Sequence, residues 1–372
     1  MANPALVDPA TIRATTAEAW VRGYPILQNY RTLYAQALDD ADPGYVGGFG
    51  VFRHRPPPPS PAAPGIPTPG IPTPGGATAE SDTAYSRAWL DLRTEPWVLS
   101  VPAVDRPYVL PLHELDTVYA GFIGTRTTGR EAGDHLVAGP DWRGEAPPGV
   151  RGVIRTATRL VGILGRTRLA DRTPADVADL KTAQQQYRLR PLHEYAGTPA
   201  PDPAPEPVWP VWRAEVLDTV EFLGFLDFLF GFFPLRGAVE LPPAEIDLRG
   251  RLTDLGIDGR GEFEPATLPI EVRAEIERGI ADGRARLERA AAGPGAPAGF
   301  WGTREQIGAD FLSQALGARL GLYALPTEES RHGGSAADGT NGPDRGGATG
   351  SAGTTGSADH TEPATTGRRT PR

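Results

Sequence analysis

The spacing of apolar residues changes twice along the chain and divides it into three regions. From Asp8 to Leu38 they recur at helical intervals, with Ala17, Trp20, Val21 and Tyr24 on one stripe. Asp8 is placed to cap this helix and Pro9 suits its first turn. Pro25 is expected to kink or interrupt it, with a second helical stretch ending at Asp39, Asp40 and Asp42. Between 84 and 166 the apolar runs become short and regular. They cover 84–92, 97–101, 108–112, 117–123, 135–138, 152–155 and 160–165, and Gly, Pro and Asp separate them. Runs of this length with turn residues between them predict the strands of a β-sandwich. No helical segments alternate with them, which disfavours a doubly wound parallel sheet.

Helical spacing then returns. Thr173-Pro174-Ala175-Asp176 reads as a capped helix start, and Val177, Leu180, Ala183 and Tyr187 form its stripe. A Pro-rich linker is expected over 198–207, followed by a Phe-rich helix over 215–233. Val272, Ile276, Ile280 and Leu287 mark another helix, as do Ile307, Phe311, Ala315 and Leu316. Beyond Leu325 there is no aromatic residue and no Val, Ile, Leu or Met, so a disordered tail is expected over 328–372. The expected fold class is α+β: an N-terminal helix and antiparallel β-sandwich over 8–195, a helical domain over 208–327, then the tail.

Composition refines this outline. The 372 residues include 46 Gly and 40 Pro, many of them gathered in an insert over 56–76. That insert repeats Gly65-Ile66-Pro67-Thr68-Pro69 as Gly70-Ile71-Pro72-Thr73-Pro74 and reads as an extended, polyproline-like spacer. The net charge of −9 argues against a nucleic-acid partner, because no excess of cations is available to displace counterions from phosphates. Lys181 is the lone lysine, an Arg-for-Lys choice that fits a G+C-rich, bacterial genome. The N-terminus has neither a basic nor an apolar signal region. The Phe-rich stretch carries Glu221 and Asp227 and stops at Pro234, short of a membrane span of about 20 apolar residues. A cytoplasmic protein with no membrane partner is expected.

Most chemical signatures are missing. The chain has no cysteine, which removes thiolate metal sites and cysteine nucleophiles. No glycine-rich phosphate loop precedes Lys181, no Gly-x-Ser-x-Gly elbow occurs, and no two of the six histidines stand four apart. Asp39, Asp40 and Asp42 lack the remaining ligands of a calcium loop and read as a solvated helix exit. No metal and no cofactor is expected. Polar motifs survive at the strand ends: Glu80 to Tyr85, His113 to Asp116, Gly124 to Gly129, and Gly165 to Thr167.

The motifs Ala19-Trp20-Val21-Arg22-Gly23-Tyr24-Pro25 and Asp82-Thr83-Ala84-Tyr85-Ser86-Arg87-Ala88-Trp89 appear in an order that resembles the domain-of-unknown-function family 1254 (DUF1254). Gly124-Thr125-Arg126-Thr127-Thr128-Gly129, Gly139-Pro140-Asp141-Trp142-Arg143-Gly144 and Ile163-Leu164-Gly165-Arg166-Thr167 extend the resemblance over about residues 8–195. The resemblance implies an immunoglobulin-like sandwich preceded by a helix and followed by a helical domain. Members of the family commonly continue into a second β domain, DUF1214, and the low-complexity sequence after Glu329 is expected to replace it. Glu80 stands where the family usually has Asn.

Two functional readings follow. In the first, a small molecule, anionic where arginines meet it, is bound or transformed at the sandwich rim among Asp82, Thr83, Tyr85, Arg126, Thr128 and Arg166. Asp82 is the candidate general base, and the two arginines hold the anionic group. The structural alternative has Asp82 and Thr83 closing a turn, the arginines pairing with carboxylates, and Tyr85 packing with Trp89 in the core. In the second reading the chain is a non-catalytic assembly protein that pairs with another chain, or with a second copy of itself, in place of the absent β domain.

Overall fold

The computed structural model describes residues 4–55, 82–292 and 299–333. The Pro-rich insert and the tail beyond Gly333 therefore lie outside the described residues. After a short 3-10 turn, Pro4–Leu6, helix α1 runs over Pro9–Leu33 and passes into a π-helical turn, Tyr34–Leu38. Asp8 caps it by accepting from the Thr11 amide at 3.1 Å. The expected break at Pro25 is absent, because α1 continues through it. Ile26, Leu27, Tyr30 and Leu33 beyond the proline are completely buried. Their burial, at about 1.5–3 kcal/mol per large side chain, outweighs the roughly 3 kcal/mol cost of an internal proline.

Nine strands follow among the described residues: β1 (Arg53–Arg55), β2 (Thr83–Asp91), β3 (Trp97–Val101), β4 (Tyr108–Glu114), β5 (Tyr119–Gly124), β6 (Gly133–Ala138), β7 (Val150–Arg155), β8 (Leu160–Arg168) and β9 (Arg188–Pro191). All seven expected runs are strands. They form a five-stranded antiparallel sheet in the order β1-β2-β8-β4-β5 and a four-stranded sheet in the order β7-β6-β3-β9. One pairing departs from the expected antiparallel sandwich: β6 and β7 run parallel. The 139–149 connection between them is long enough to carry the chain back to the same end of the sheet.

The space between the sheets is filled by Ala88, Leu90, Leu110, Leu112, Val161 and Ile163 from one side and Leu99, Val101 and Val137 from the other. The other face of the five-stranded sheet is covered as well. Tyr85, Trp89, Leu160 and Leu164 join the largest core cluster together with Trp20, Leu27, Tyr30, Phe222 and Leu226 from the helical side. The five-stranded sheet is thus a middle layer. This explains why β2, β4 and β8 are buried almost end to end, whereas β7 alternates between half-buried and exposed.

The helices after α1 are α2 (Pro174–Gln184), α3 (Leu192–Ala196), α4 (Glu221–Phe230), α5 (Pro243–Thr253), α6 (Ile270–Ala292), α7 (Arg304–Ile307), α8 (Phe311–Leu320) and α9 (Thr327–Gly333). The Phe-rich helix is shorter than expected. Thr219 is extended and separates a 3-10 turn, Ala214–Asp218, from α4. The helix expected around Ile307 and Leu316 is likewise two, broken where Gly308 adopts φ +56° and restarted where Asp310 caps α8 through the Ser313 amide. The 198–207 segment has no regular structure but is tied down. Arg93 donates to the Pro205 carbonyl at 2.6 Å, and the Ala204 amide donates to Thr94 at 2.9 Å. Trp209, just beyond, stacks on Phe232.

Order also persists further toward the C-terminus than apolar content predicts. Helix α9 extends past residue 328, and its anchor is ionic: Glu329 is buried and pairs with Arg126. The described residues form one compact unit, whose largest core draws on both sides of the 198–207 segment. No described helix is long and apolar enough to cross a membrane.

Candidate functional site

Strand β1 is a three-residue edge strand whose sequence, Arg53-His54-Arg55, alternates cation and ring. Its antiparallel register sets Arg53 opposite Arg87, His54 opposite Ser86, and Arg55 opposite Tyr85. On the far side of β2, Tyr85 faces Arg166 and Arg87 faces Leu164 on β8. Because side chains alternate along a strand, Arg53, Arg55, Tyr85, Arg87 and Arg166 share one face, the one that turns toward the helices. Arg55, Tyr85 and Arg166 form one transverse row, and Arg53 and Arg87 form the next.

A cavity of about 260 Å³ opens at this edge, lined by Pro43, Gly44, Arg53, His54, Arg55 and Arg87. Those six described residues bring three guanidinium groups and no carboxylate. Pro43 and Gly44 come from the turn after the π-helical segment. There Asp42 accepts from the Gly44 amide at 2.6 Å and Asp39 from the Ala41 amide at 3.1 Å, so both carboxylates close backbone turns. Arg53 is exposed and donates to the Tyr45 carbonyl. Arg87 is buried, and its pKa is lowered to about 10 by that burial and by Arg55 and Arg53, leaving it a cation at neutral pH. Arg166 lies over the Tyr85 ring, 5.8 Å from its centroid, and donates to the Tyr323 carbonyl at 2.8 Å.

His54 forms the other side of the strand. Its Nδ1 lies 2.9 Å from Ser86 Oγ, and the Gln184 side-chain nitrogen donates both to that oxygen at 3.0 Å and to the Tyr85 carbonyl at 3.2 Å. The carbonyl contact assigns the amide nitrogen of Gln184. With Ser86 Oγ accepting from it, the serine hydroxyl donates to His54 Nδ1, and the ring proton resides on Nε2. Burial and then Arg188 lower the His54 pKa, so the ring is neutral at pH 7.

The residues expected from sequence are distributed along one end of the five-stranded sheet. Tyr85 and Arg166 are brought together beside the cavity. Asp82 pairs with Arg168 at 3.0 Å and accepts from the Thr83 hydroxyl at 3.1 Å, while Thr83 is itself fully buried. Arg126 pairs with Glu329, its Nε donating at 2.7 Å. Thr128 closes the β5 turn, accepting from the Gly124 amide at 3.1 Å. Arg126 follows β5, three strand positions from the start of β2, and at about 4.8 Å per step that is roughly 14 Å from Asp82. The arginines of the cavity itself, Arg53, Arg55 and Arg87, were not singled out by sequence. Their signal was the Arg-x-Arg spacing of a strand, and Arg87 lies inside a quoted motif.

Two other polar motifs resolve into a buried ionic network. Arg22 on α1 donates to Asp116 at 2.8 Å and to Glu245 on α5. Arg304 on α7 donates to Asp116 at 2.9 Å and to Glu114. Arg249 adds a 4.0 Å approach to Glu245 and lies 3.5 Å over the Phe230 ring. All six side chains are buried, and three cations balance three anions. Burial opposes charge on Asp116, but Arg304 and Arg22 together hold its pKa well below the usual carboxylate range. At Glu114 burial prevails, with Asp116 beside it, and the pKa is raised despite Arg304. The network joins the β4–β5 turn to three helices and leaves none of its charged groups facing solvent, which is the geometry of a structural clamp.

Residues 66–191 match the family model described as Protein of unknown function (DUF1254), the family that the ordered motifs resemble. Among solved structures, the chain is similar to the crystal structure of the VPA0106 protein from Vibrio parahaemolyticus. The TM-score is 0.64 at 22% identity, over 85% of this chain and 68% of that one. At that identity the likeness concerns the fold alone. No curated protein matches the chain.

Proposed function

We propose that this protein binds a small anionic molecule in the cavity at the β1 edge of its five-stranded sheet. The observation that carries the reading is the convergence of Arg53, Arg55 and Arg87 on one cavity whose described lining has no carboxylate. Like charges directly opposite one another across an antiparallel pair destabilise it, and Arg53 and Arg87 stand in that relation. A bound anion would engage the Arg53 and Arg55 guanidinium groups through charge-assisted hydrogen bonds. The volume falls just below the usual range for small-molecule sites and so suits only a small ligand. Tyr85 and Arg166 continue the row of Arg55 beside the cavity, and the Asp82–Arg168 pair braces the strand end. The neutral His54, held by Ser86 and Gln184, fixes the register that aligns the arginines.

Native mass spectrometry of the purified full chain, with titration of the eluted small molecules, tests the reading. Arg55→Ala is expected to weaken the captured anion by about tenfold or more, the equivalent of one charge-assisted contact. Unchanged capture by Arg55→Ala and Arg53→Ala alike would refute the site.

A further inference from the structure

Away from the anion cavity, we infer that one buried water molecule bridges Glu245 and Arg249 on α5 and is a constituent of the ionic network. Glu245 Oε1 and Arg249 Nη1 stand 4.0 Å apart, too far for a direct hydrogen bond. Both side chains are buried, and neither atom has a hydrogen-bond partner among the described residues. Buried polar atoms are ordinarily satisfied, by protein or by ordered water. Oppositely charged residues four apart on a helix can close into contact, so the separation has a cause. Each side chain is held elsewhere. The other oxygen of Glu245 accepts from Arg22, which Asp116 at 2.8 Å and Gln314 at 3.2 Å fix in turn. The Arg249 guanidinium lies on the Phe230 ring, 3.5 Å from its centroid, and its Nη2 donates to the Phe233 carbonyl. Closing the pair would break one of these attachments.

The two ends set the chemistry of what joins them. Arg249 Nη1 only donates, and the ionised Glu245 oxygen only accepts. The bridging species must therefore accept from one and donate to the other. A cation would meet the Arg249 and Arg22 guanidiniums, and a halide would meet the Glu245 carboxylate, so a neutral molecule is required. Its size is equally restricted. One oxygen at about 2.8 Å from both atoms subtends an angle of about 90° between them, which a water molecule accommodates. Two linked heavy atoms would not span so short a gap. Water satisfies both groups at a small cost in immobilisation, whereas leaving two buried charged atoms unsatisfied costs more.

A crystal structure of the full chain, at a resolution that places ordered solvent, tests this directly. A single solvent peak is expected within about 3.2 Å of both Glu245 Oε1 and Arg249 Nη1. A direct contact between the two side chains, a well-ordered gap without density, or density too large for one oxygen would each overturn the inference. Oxygen-17 relaxation dispersion gives an independent reading in solution. Arg249→Met is expected to lose one long-lived water relative to the wild-type chain, and Glu245→Gln, which keeps an acceptor, is expected to retain it. An unchanged signal in a folded Arg249→Met chain would count against the bridge. The crystallographic result decides the matter if that variant does not fold.

Discussion

Arg53 and Arg87 face each other directly across the β1–β2 pair, two cations where cross-strand partners ordinarily attract. On the proposed reading, an anion held at this edge would lie beside both guanidiniums. Arg53→Thr is therefore expected to leave thermal stability unchanged or slightly raised, by up to about 0.5 kcal/mol, while weakening anion binding. Added phosphate is expected to raise the melting temperature of the wild-type chain more than that of the variant. Equal shifts in both, measured by differential scanning calorimetry, would show that the pair has no part in binding.

Anion affinity should depend on pH through the ligand. Arg87, at about 10, keeps its charge throughout the neutral range, whereas a phosphate monoester gains its second charge near pH 6. Affinity for glycerol 3-phosphate is expected to rise between about pH 5 and 7.5 and then level off. Affinity for acetate is expected to change far less over the same interval, because acetate gains no second charge. Calorimetry in matched buffers distinguishes the two profiles.

His113 makes stability itself pH-dependent. The ring stacks on Tyr323 with centroids 4.1 Å apart and meets Trp89 edge-on, and burial lowers its pKa from 6.5 to about 3. The unfolded chain takes up this proton below about pH 6.5 while the folded chain resists it. Stability is thus present above that pH and is lost as pH falls toward about 3, by roughly 5 kcal/mol at most. Glu114, raised by burial, acts with the opposite sign in the acid range, and the lowered Asp116 holds its contribution until pH is below about 4. Urea unfolding at several pH values should show the slope between about pH 6.5 and 4, and His113→Phe should flatten it.

The buried network predicts an asymmetry. Removing one partner leaves a buried charge uncompensated, so Arg22→Met or Asp116→Asn is expected to cost about 3–5 kcal/mol in urea unfolding. Replacing Arg22 and Glu245 together by Met and Gln should cost less than the sum of the single changes, because both ends of one pair disappear. Additive losses would show that the pair contributes nothing as a pair.

Close helix packing gives another test. Gly283 on α6 sits where an added Cβ would lie 2.7 Å from the Ala17 carbonyl of α1. Alanine favours a helix by about 1 kcal/mol over glycine, yet Gly283→Ala is expected to destabilise by about 1–3 kcal/mol as α6 is pushed off α1. Thermal melting followed by circular dichroism reads the sign directly.

Much of the architecture was legible because strand-forming runs and punctuating Gly and Pro are local signals. What escaped the sequence depends on tertiary context. Pro25 reads as a breaker, but the helix beyond it is carried by the burial of Ile26, Leu27 and Tyr30. Strands β1 and β9 are too short and too polar to stand out, and their pairing partners define them. The fully buried β2 gives no alternation to show which of its residues face the helices. The site was obscured for the same reason. Arg53 and Arg87 are far apart in sequence, and only the strand register makes them neighbours. Tyr85 and Arg166 were identified from their motifs, yet nothing local indicated that they meet each other while Arg126 turns to Glu329.

A sheet clad on both sides has only its margins left for recognition. Along the β1 margin, three residues carry two of the three cations that meet the cavity, and of those two Arg53 is exposed and Arg55 only half-buried. Exchange of Arg53 and Arg55 would therefore alter the chemistry of this margin with little disturbance of the packed layers, so a shared architecture does not by itself imply a shared ligand.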